Sequence, residues 1–372
     1  MLYIHIPFCQ QRCIYCDFYS TTHSRKFIDD YLEATSNEIR LRADDLPSRQ
    51  LSTIYIGGGT PSLLTNDAIC KLFTSIRKCF TISQDAEVTF EANPDDITEE
   101  LLRTLISVGV NRISLGVQSF NDEQLTFLHR RHSAKQAVDA VRLINALGIR
   151  HISVDLIYGQ PRQTPEMWLN DLRQALVLPI DHLSAYALTV EGETPLKRLL
   201  EKGTLAMPND ETTLQQYTML CEEMRKHGFE HYEISNFCLP DGASRHNSGY
   251  WSNLPYLGIG PGAHSYDGTS RYSNPSNLQH YIKERGMLSR SVEILTDDER
   301  CNDFVFTSLR TNKGLHLPTL RTLFGCTRAE NILKWARPHI ANNHLYYSGE
   351  NLILTEMGIF VSNDVMSDLM HL

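Results

Sequence analysis

The chain has 372 residues, 41% hydrophobic content and a formal net charge of −9. This length suits one large core plus a smaller domain, and no apolar run approaches the ~20 residues that cross a bilayer, which predicts no stable membrane insertion. Without clustered Lys and Arg, nucleic acid is excluded as the main partner. An odd number of cysteines and no secretory signal predict a reducing, cytoplasmic setting.

Short apolar strands alternate with amphipathic helical segments through the first half of the chain. Thr98 starts one predicted helix, and Gly109 and Gly148 end two others. Six β–α units in tandem predict an α/β fold with a parallel sheet. Polar or glycine-rich residues follow nearly every strand, which favours a barrel with its site at the mouth over a doubly wound sheet. The predicted strands are 2–6, 52–56, 86–90, 112–117, 151–156 and 182–188.

The pattern changes after about residue 205. We expect a helix over 210–227 and a strand over 231–237. Residues 238–278 read as a long irregular stretch, of a kind that is usually functional. Beyond about residue 290 the pattern predicts a small, mainly helical domain with a winged-helix-like hairpin. The predicted domains are 1–205 for the barrel, 206–285 for its extension and 286–372 for the C-terminal domain.

Three cysteines, Cys9, Cys13 and Cys16, lie within eight residues. Three thiolates on one loop can hold three irons of a [4Fe–4S] cluster and leave the fourth iron without a protein ligand. The alternatives are a zinc site closed by His5 or His23, and three unrelated core cysteines. From the spacing alone, all three interpretations stay open.

The C-x3-C-x2-C spacing, followed by Phe18, resembles the radical S-adenosylmethionine (SAM) superfamily. Residues 3–18 are similar to its oxygen-independent coproporphyrinogen III oxidase-like family. The resemblance implies an incomplete (β/α)6 TIM-like barrel over 1–205, with the remaining iron binding the amino and carboxylate groups of SAM. An external electron donor would reduce the cluster, which then cleaves SAM to a radical.

The same resemblance implies a set of SAM contacts. Gly58, Gly59 and Thr60 follow the second strand, where glycines let backbone groups approach a ligand. Other matching positions lie at later strand ends, and a second glycine-rich segment lies at 257–265. A solvated strand face, a tight turn or a satisfied buried group explains several of these positions equally well. The full set of implied contacts is Tyr3, Tyr15, Gly58, Gly59, Thr60, Glu91, Gln118, Arg130, Asp155, Ala263 and His264.

A second motif lies at 245–251, Arg-His-Asn-Ser-Gly-Tyr-Trp. It matches the His-Asn-x-x-Tyr-Trp signature of the haem chaperone branch of the family. An exposed histidine on a flexible loop beside two aromatic rings could ligate haem iron. The alternative is a loop histidine near surface aromatics. The implied haem residues are His246, as the iron ligand, with Asn247, Tyr250 and Trp251.

The main hypothesis is a haem chaperone that binds a [4Fe–4S] cluster, SAM and haem, and delivers haem to acceptor apoproteins. The alternative is an enzyme, an oxygen-independent coproporphyrinogen III oxidase in porphyrin biosynthesis. Two departures count against the enzyme. Phe18 stands where those oxidases carry a further cysteine, and only eight residues precede Cys9. Whether SAM is cleaved, which protein accepts the haem and whether the chain forms a homodimer stay open.

Overall fold

The computed structural model describes residues 1–22 and 25–370. Fifteen strands are present in this part of the chain. They are β1 (Leu2–Ile6), β2 (Gln50–Gly58), β3 (Thr81–Ala92), β4 (Arg112–Gln118), β5 (His151–Tyr158), β6 (His182–Ala187), β7 (Glu230–Glu233), β8 (Asn236–Cys238), β9 (Leu257–Ile259), β10 (His264–Tyr266), β11 (Ser270–Ser273), β12 (Ser291–Ile294), β13 (Leu315–His316), β14 (Leu345–Ser348) and β15 (Asn351–Leu354).

The α-helices of the described residues connect these strands. They are α1 (Ile28–Arg42), α2 (Asn66–Cys79), α3 (Glu99–Ser107), α4 (Asp122–Phe127), α5 (Ala134–Ala146), α6 (Pro165–Leu176), α7 (Pro195–Glu201), α8 (Asp210–Lys226), α9 (Arg245–Trp251), α10 (Leu278–Lys283), α11 (Asp297–Leu309), α12 (Leu317–Phe324), α13 (Cys326–Ala341), α14 (Glu356–Phe360) and α15 (Ser362–Leu369).

One nine-stranded sheet organises the molecule, in the order β7-β8-β6-β5-β4-β3-β2-β1-β9. Strands β1 to β6 are parallel and follow one another in sequence order. In a doubly wound sheet the strand order reverses at a switch point. In a barrel each new strand is added next to the previous one, always on the same side, as it is here. The predicted partial-barrel fold class, with a small C-terminal region, is confirmed.

Local sequence explains why these segments form where they do. The Thr98 hydroxyl accepts a hydrogen bond from the Leu101 N–H and caps α3. Gly109 and Gly148 end their helices with φ of +88° and +92°, a conformation that glycine adopts without strain. The central strands have both faces covered and bury nearly every residue, as expected of a parallel sheet.

Two parts of the later sequence differ from expectation. The single strand predicted over 231–237 is wrong, because β7 and β8 form an antiparallel pair around a turn at residues 234–235. The stretch 238–278 is not irregular either. It contains α9 and three strands, and β9 pairs in parallel with β1 at the opposite edge of the sheet. Long-range pairing created this order, and a local pattern does not report it.

The apolar side chains form two separate clusters. The larger cluster runs from Leu2 to Tyr281 and fills the space between the sheet and its helices. The smaller one runs from Cys301 to Leu369 and lies among the C-terminal helices and the antiparallel sheet β13-β15-β14. The domain boundaries drawn from the sequence stay predictions.

Across residues 1–22 and 25–370, every helix is too short or too polar to span a bilayer.

Candidate functional site

A cavity of about 540 Å³ opens at the C-terminal ends of the barrel strands. Parallel strands of a barrel bring their C-terminal ends to one face, where catalytic and binding sites of such folds lie. The three motif cysteines line this cavity together with eight of the predicted SAM contacts. Those eight are Tyr15, Gly58, Gly59, Thr60, Glu91, Gln118, Arg130 and Asp155.

The cysteine loop follows β1 directly and is held against β2. The Gly59 N–H donates to the Ile6 carbonyl and the Thr60 N–H to the Phe8 carbonyl, both at 2.7 Å. A Cβ atom on Gly59 would lie 3.1 Å from Cys9 Sγ and 2.7 Å from the Phe8 carbonyl oxygen. Glycine is therefore required for this close approach between the two motifs.

The chemistry of the donor set fits an iron–sulfur cluster. All nine cysteines, each of them within the described ranges, are free thiols, and soft thiolates are the ligands that such clusters use. Burial raises the pKa of Cys16 to about 11, so iron must displace its proton. No three His, Cys, Asp or Glu side chains of the described residues are already arranged around a metal position.

The zinc alternative loses one of its two candidate ligands. Both ring nitrogens of His5 are occupied, Nδ1 by the Tyr3 hydroxyl at 2.9 Å and Nε2 by the Tyr19 carbonyl at 2.8 Å. His5 is 5% exposed and lies within β1. The other candidate, His23, lies outside the described residues.

Glu91 joins the glycine motif to the third strand. Its carboxylate accepts hydrogen bonds from the Tyr55 hydroxyl at 2.6 Å and from the Gly58 N–H at 3.0 Å. Burial raises the pKa of Glu91 to about 7, although the bond from Tyr55 works in the opposite direction. A carboxyl group with a pKa near 7 can ionise and then accept a hydrogen bond from a ligand or pair with its positive charge.

Gln118 and Arg130 lie at the end of β4. Gln118 has a φ of +71°, an unusual backbone conformation for a residue other than glycine. The Arg130 guanidinium donates to the Asn93 amide oxygen at 2.7 Å and to Cys13 Sγ at 3.3 Å. Arg130 therefore connects the cysteine loop to the strand ends. Its positive charge would also offset part of the negative charge of the cysteine thiolates.

Asp155 lies on β5 inside the barrel, with burial raising its pKa. The Ser114 hydroxyl lies 3.0 Å and the Ser153 hydroxyl 3.3 Å from its carboxylate. We did not identify these serines from the sequence. The pattern that could have identified them is a polar residue at every second position of an apolar strand, because alternate residues face the barrel interior. The cavity-lining residues missed in this way are Arg112, Ser114, Ser153, His182, Ser184 and Tyr186.

Three predicted SAM contacts lie elsewhere. Tyr3, Ala263 and His264 are not among the described residues that line the cavity. The Tyr3 hydroxyl is hydrogen-bonded to His5, and Ala263 is buried beside β9 in the loop before β10. These three contacts stay predictions without support from the cavity.

The motif at 245–251 is a helix rather than a flexible exposed loop, so that expectation is wrong. His246 is fully buried in α9. Its Nδ1 is 2.8 Å from the Thr53 hydroxyl and its Nε2 is 2.9 Å from the Tyr250 hydroxyl. Burial lowers the pKa of His246 to about 3, which keeps the imidazole neutral.

Glu87 fixes the start of this helix to the barrel. Its carboxylate accepts hydrogen bonds from the backbone N–H groups of Arg245 at 2.9 Å and His246 at 2.8 Å. A negative charge at a helix N-terminus is favourable. Of the predicted haem residues, only Asn247 is found among the described residues that line the cavity; His246, Tyr250 and Trp251 are not.

Comparison with known proteins gives a consistent assignment. The radical SAM superfamily profile matches residues 3–175. Three bacterial proteins named heme chaperone HemW match nearly full length. Those of Lactococcus lactis, Bacillus subtilis and Haemophilus influenzae are 34%, 35% and 37% identical, each over 98% of this chain and 95%, 97% and 96% of the relative.

Among solved structures, the Escherichia coli coproporphyrinogen III oxidase HemN aligns with a TM-score of 0.86. The alignment covers 100% of this chain and 89% of HemN, at 24% identity, and so shows the shared fold. Sequence identity above 30% over nearly the whole length decides the family. The chain belongs to the radical SAM superfamily and, within it, to the HemW family.

Proposed function

We propose that the protein is a cytoplasmic haem chaperone that carries a [4Fe–4S] cluster, binds SAM and delivers haem to acceptor apoproteins. The observation that carries the proposal is that three free thiols and eight predicted SAM contacts line one cavity. The haem part of the proposal is supported by the three HemW relatives that match nearly the whole chain.

Cys9, Cys13 and Cys16 would hold the cluster, and the backbone at Gly58–Thr60 with Glu91 would bind the amino group of SAM. When bound, the cluster supplies a one-electron donor and one iron open to SAM. Arg130 keeps the loop at the strand ends through Cys13 and Asn93. Asp155, Gln118 and Tyr15 complete the proposed contacts.

His246 would ligate haem iron through Nε2 after releasing the Tyr250 hydroxyl. The imidazole is already neutral, which is the ligating form. Tyr250 and Trp251 would then pack on the porphyrin, with Asn247 nearby. A movement of α9 relative to the barrel is needed, because His246 is fully buried.

One experiment separates a chaperone from an oxidase. Cluster-loaded protein is incubated without oxygen with SAM and coproporphyrinogen III, and the same preparation is titrated with haem. We expect a Soret band with haem and no protoporphyrinogen formed in step with 5′-deoxyadenosine. Stoichiometric formation of these two products, or absence of haem binding, would contradict the proposal.

A further inference from the structure

Unpaired polar atoms gather beside the haem motif, where the β7–β8 turn meets the ends of α9 and α11. Among the described residues, Arg310 Nε, Trp251 Nε1, Glu233 Oε2 and Asn236 Oδ1 are buried without a hydrogen-bond partner. Buried polar atoms in folded proteins are nearly always paired with protein, water or a ligand. Two of these atoms, Arg310 Nε and Trp251 Nε1, are donors, and two unpaired donors in one place indicate a missing acceptor.

Arg310 is the charged centre of this junction. Its Cζ lies 4.4 Å from the centre of the Trp251 ring and 5.4 Å from that of Phe306. The carboxylate nearest to it, on Glu233, is 4.0 Å from Nη2, which is beyond hydrogen-bond distance. Burial lowers the pKa of Arg310, but a guanidinium stays charged in proteins. The guanidinium is thus held against aromatic rings with part of its donor edge unused.

The junction is continuous with the proposed haem-binding segment. Trp251 is the last residue of α9, and Arg310 follows α11 directly. The Asn253 side chain donates to the Thr307 hydroxyl at 2.9 Å and holds these two helix ends together. Because the guanidinium covers one face of Trp251, a ligand at the edge of this ring would lie within reach of the guanidinium.

We propose that Arg310, assisted by the Trp251 indole N–H, binds a propionate carboxylate of the tetrapyrrole that docks against α9. The inference rests on the proposed haem-binding function and adds a subsite to it. A guanidinium matches a carboxylate with two parallel hydrogen bonds, and stacking on a ring leaves its edge free to make them. Such a contact fixes the orientation of the macrocycle, since the propionates lie on one edge of haem.

The test compares two ligands that differ only at the carboxylates. Wild type, Arg310→Gln and Arg310→Lys are titrated with haem and with haem dimethyl ester, whose propionates carry no charge. Arg300→Gln, the same change at an arginine within α11, is the matched control. Thermal unfolding of each variant reports whether the fold survives.

We expect Arg310→Gln to weaken haem binding roughly ten- to a hundredfold and to leave binding of the ester unchanged. Arg310→Lys keeps the charge but loses the paired hydrogen bonds, so its haem affinity should lie between those of wild type and Arg310→Gln. Unchanged haem affinity in Arg310→Gln, or equal weakening for haem and ester, would overturn the inference. A wild-type protein that binds neither ligand would instead overturn the proposed function.

Discussion

The sequence predicts that both the barrel mouth and helix α9 bind ligands, yet the two differ in whether their polar side chains face open space. At the mouth, Glu91, Gln118 and Asp155 face an open volume of about 540 Å³. In α9, both ring nitrogens of His246 are paired within the protein. The mouth therefore already offers open space to a ligand, whereas haem binding at α9 would require His246 to release an internal hydrogen bond.

A sequence motif therefore indicates which ligand its side chains could bind, but it does not indicate whether the fold exposes them. A strand-end residue is placed at the mouth by the barrel itself. A residue of a short helix can turn inward, and His246 does so because Thr53 and Tyr250 satisfy its nitrogens.

Removing one of the three motif thiols should prevent assembly of the cluster at the barrel mouth. In Cys13→Ala the cluster has two protein ligands left, so we expect iron to fall from about four per chain to near zero after anaerobic reconstitution. Iron analysis and visible absorbance measure the effect. Cys70→Ala, at an exposed thiol on α2, is the matched control and should retain full iron. Equal iron in Cys13→Ala and wild type would exclude Cys13 as a ligand.

Replacing His246 should destabilise the protein even without haem. His246→Ala removes a buried ring and leaves Thr53 and Tyr250 without their shared partner, at a cost of about 3 kcal/mol. Tyr250→Phe keeps the ring packing, removes one hydrogen bond and should cost only about 1 kcal/mol. Urea unfolding of the haem-free proteins measures both changes. A stability of His246→Ala equal to that of wild type would mean that His246 is exposed after all.

Glu91 should make the cluster-free protein less stable as the pH rises. Its pKa is raised to about 7 in the folded protein, so the folded state holds a proton that the unfolded state has released above pH 4.5. Stability is therefore lost between about pH 4.5 and pH 7, by up to about 3 kcal/mol. Glu91→Gln should remove this slope and become the more stable protein above pH 7. Thermal unfolding at a series of pH values measures both proteins. The same change of melting temperature with pH in wild type and Glu91→Gln would contradict the expectation.

The sequence was most informative where spacing along the chain sets spacing in the fold. The alternation of strands and helices predicted a parallel sheet, the polar and glycine-rich strand ends favoured a barrel, and Cys9 to Cys16 share one loop. Strand-end residues such as Glu91 and Asp155 meet because parallel strands present the same end to the mouth. These features need no knowledge of long-range contacts.

The sequence was least informative where distant segments decide the environment. Nothing near residue 246 indicates that Glu87, 159 residues away, fixes the start of the helix. Likewise β9 joins β1 across more than 250 residues, which turns an apparently irregular stretch into part of the sheet. Arg310 acquires its place beside Trp251 only through the packing of α11 against α9.

The proposed cluster has one iron that no side chain ligates, and SAM binding requires it. The most direct measurement is electron paramagnetic resonance of the reduced, reconstituted cluster before and after addition of SAM. We predict a [4Fe–4S] signal whose g-values shift when SAM is added, because SAM occupies the free iron. A signal that SAM leaves unchanged, or a cluster that does not assemble, would contradict the claim.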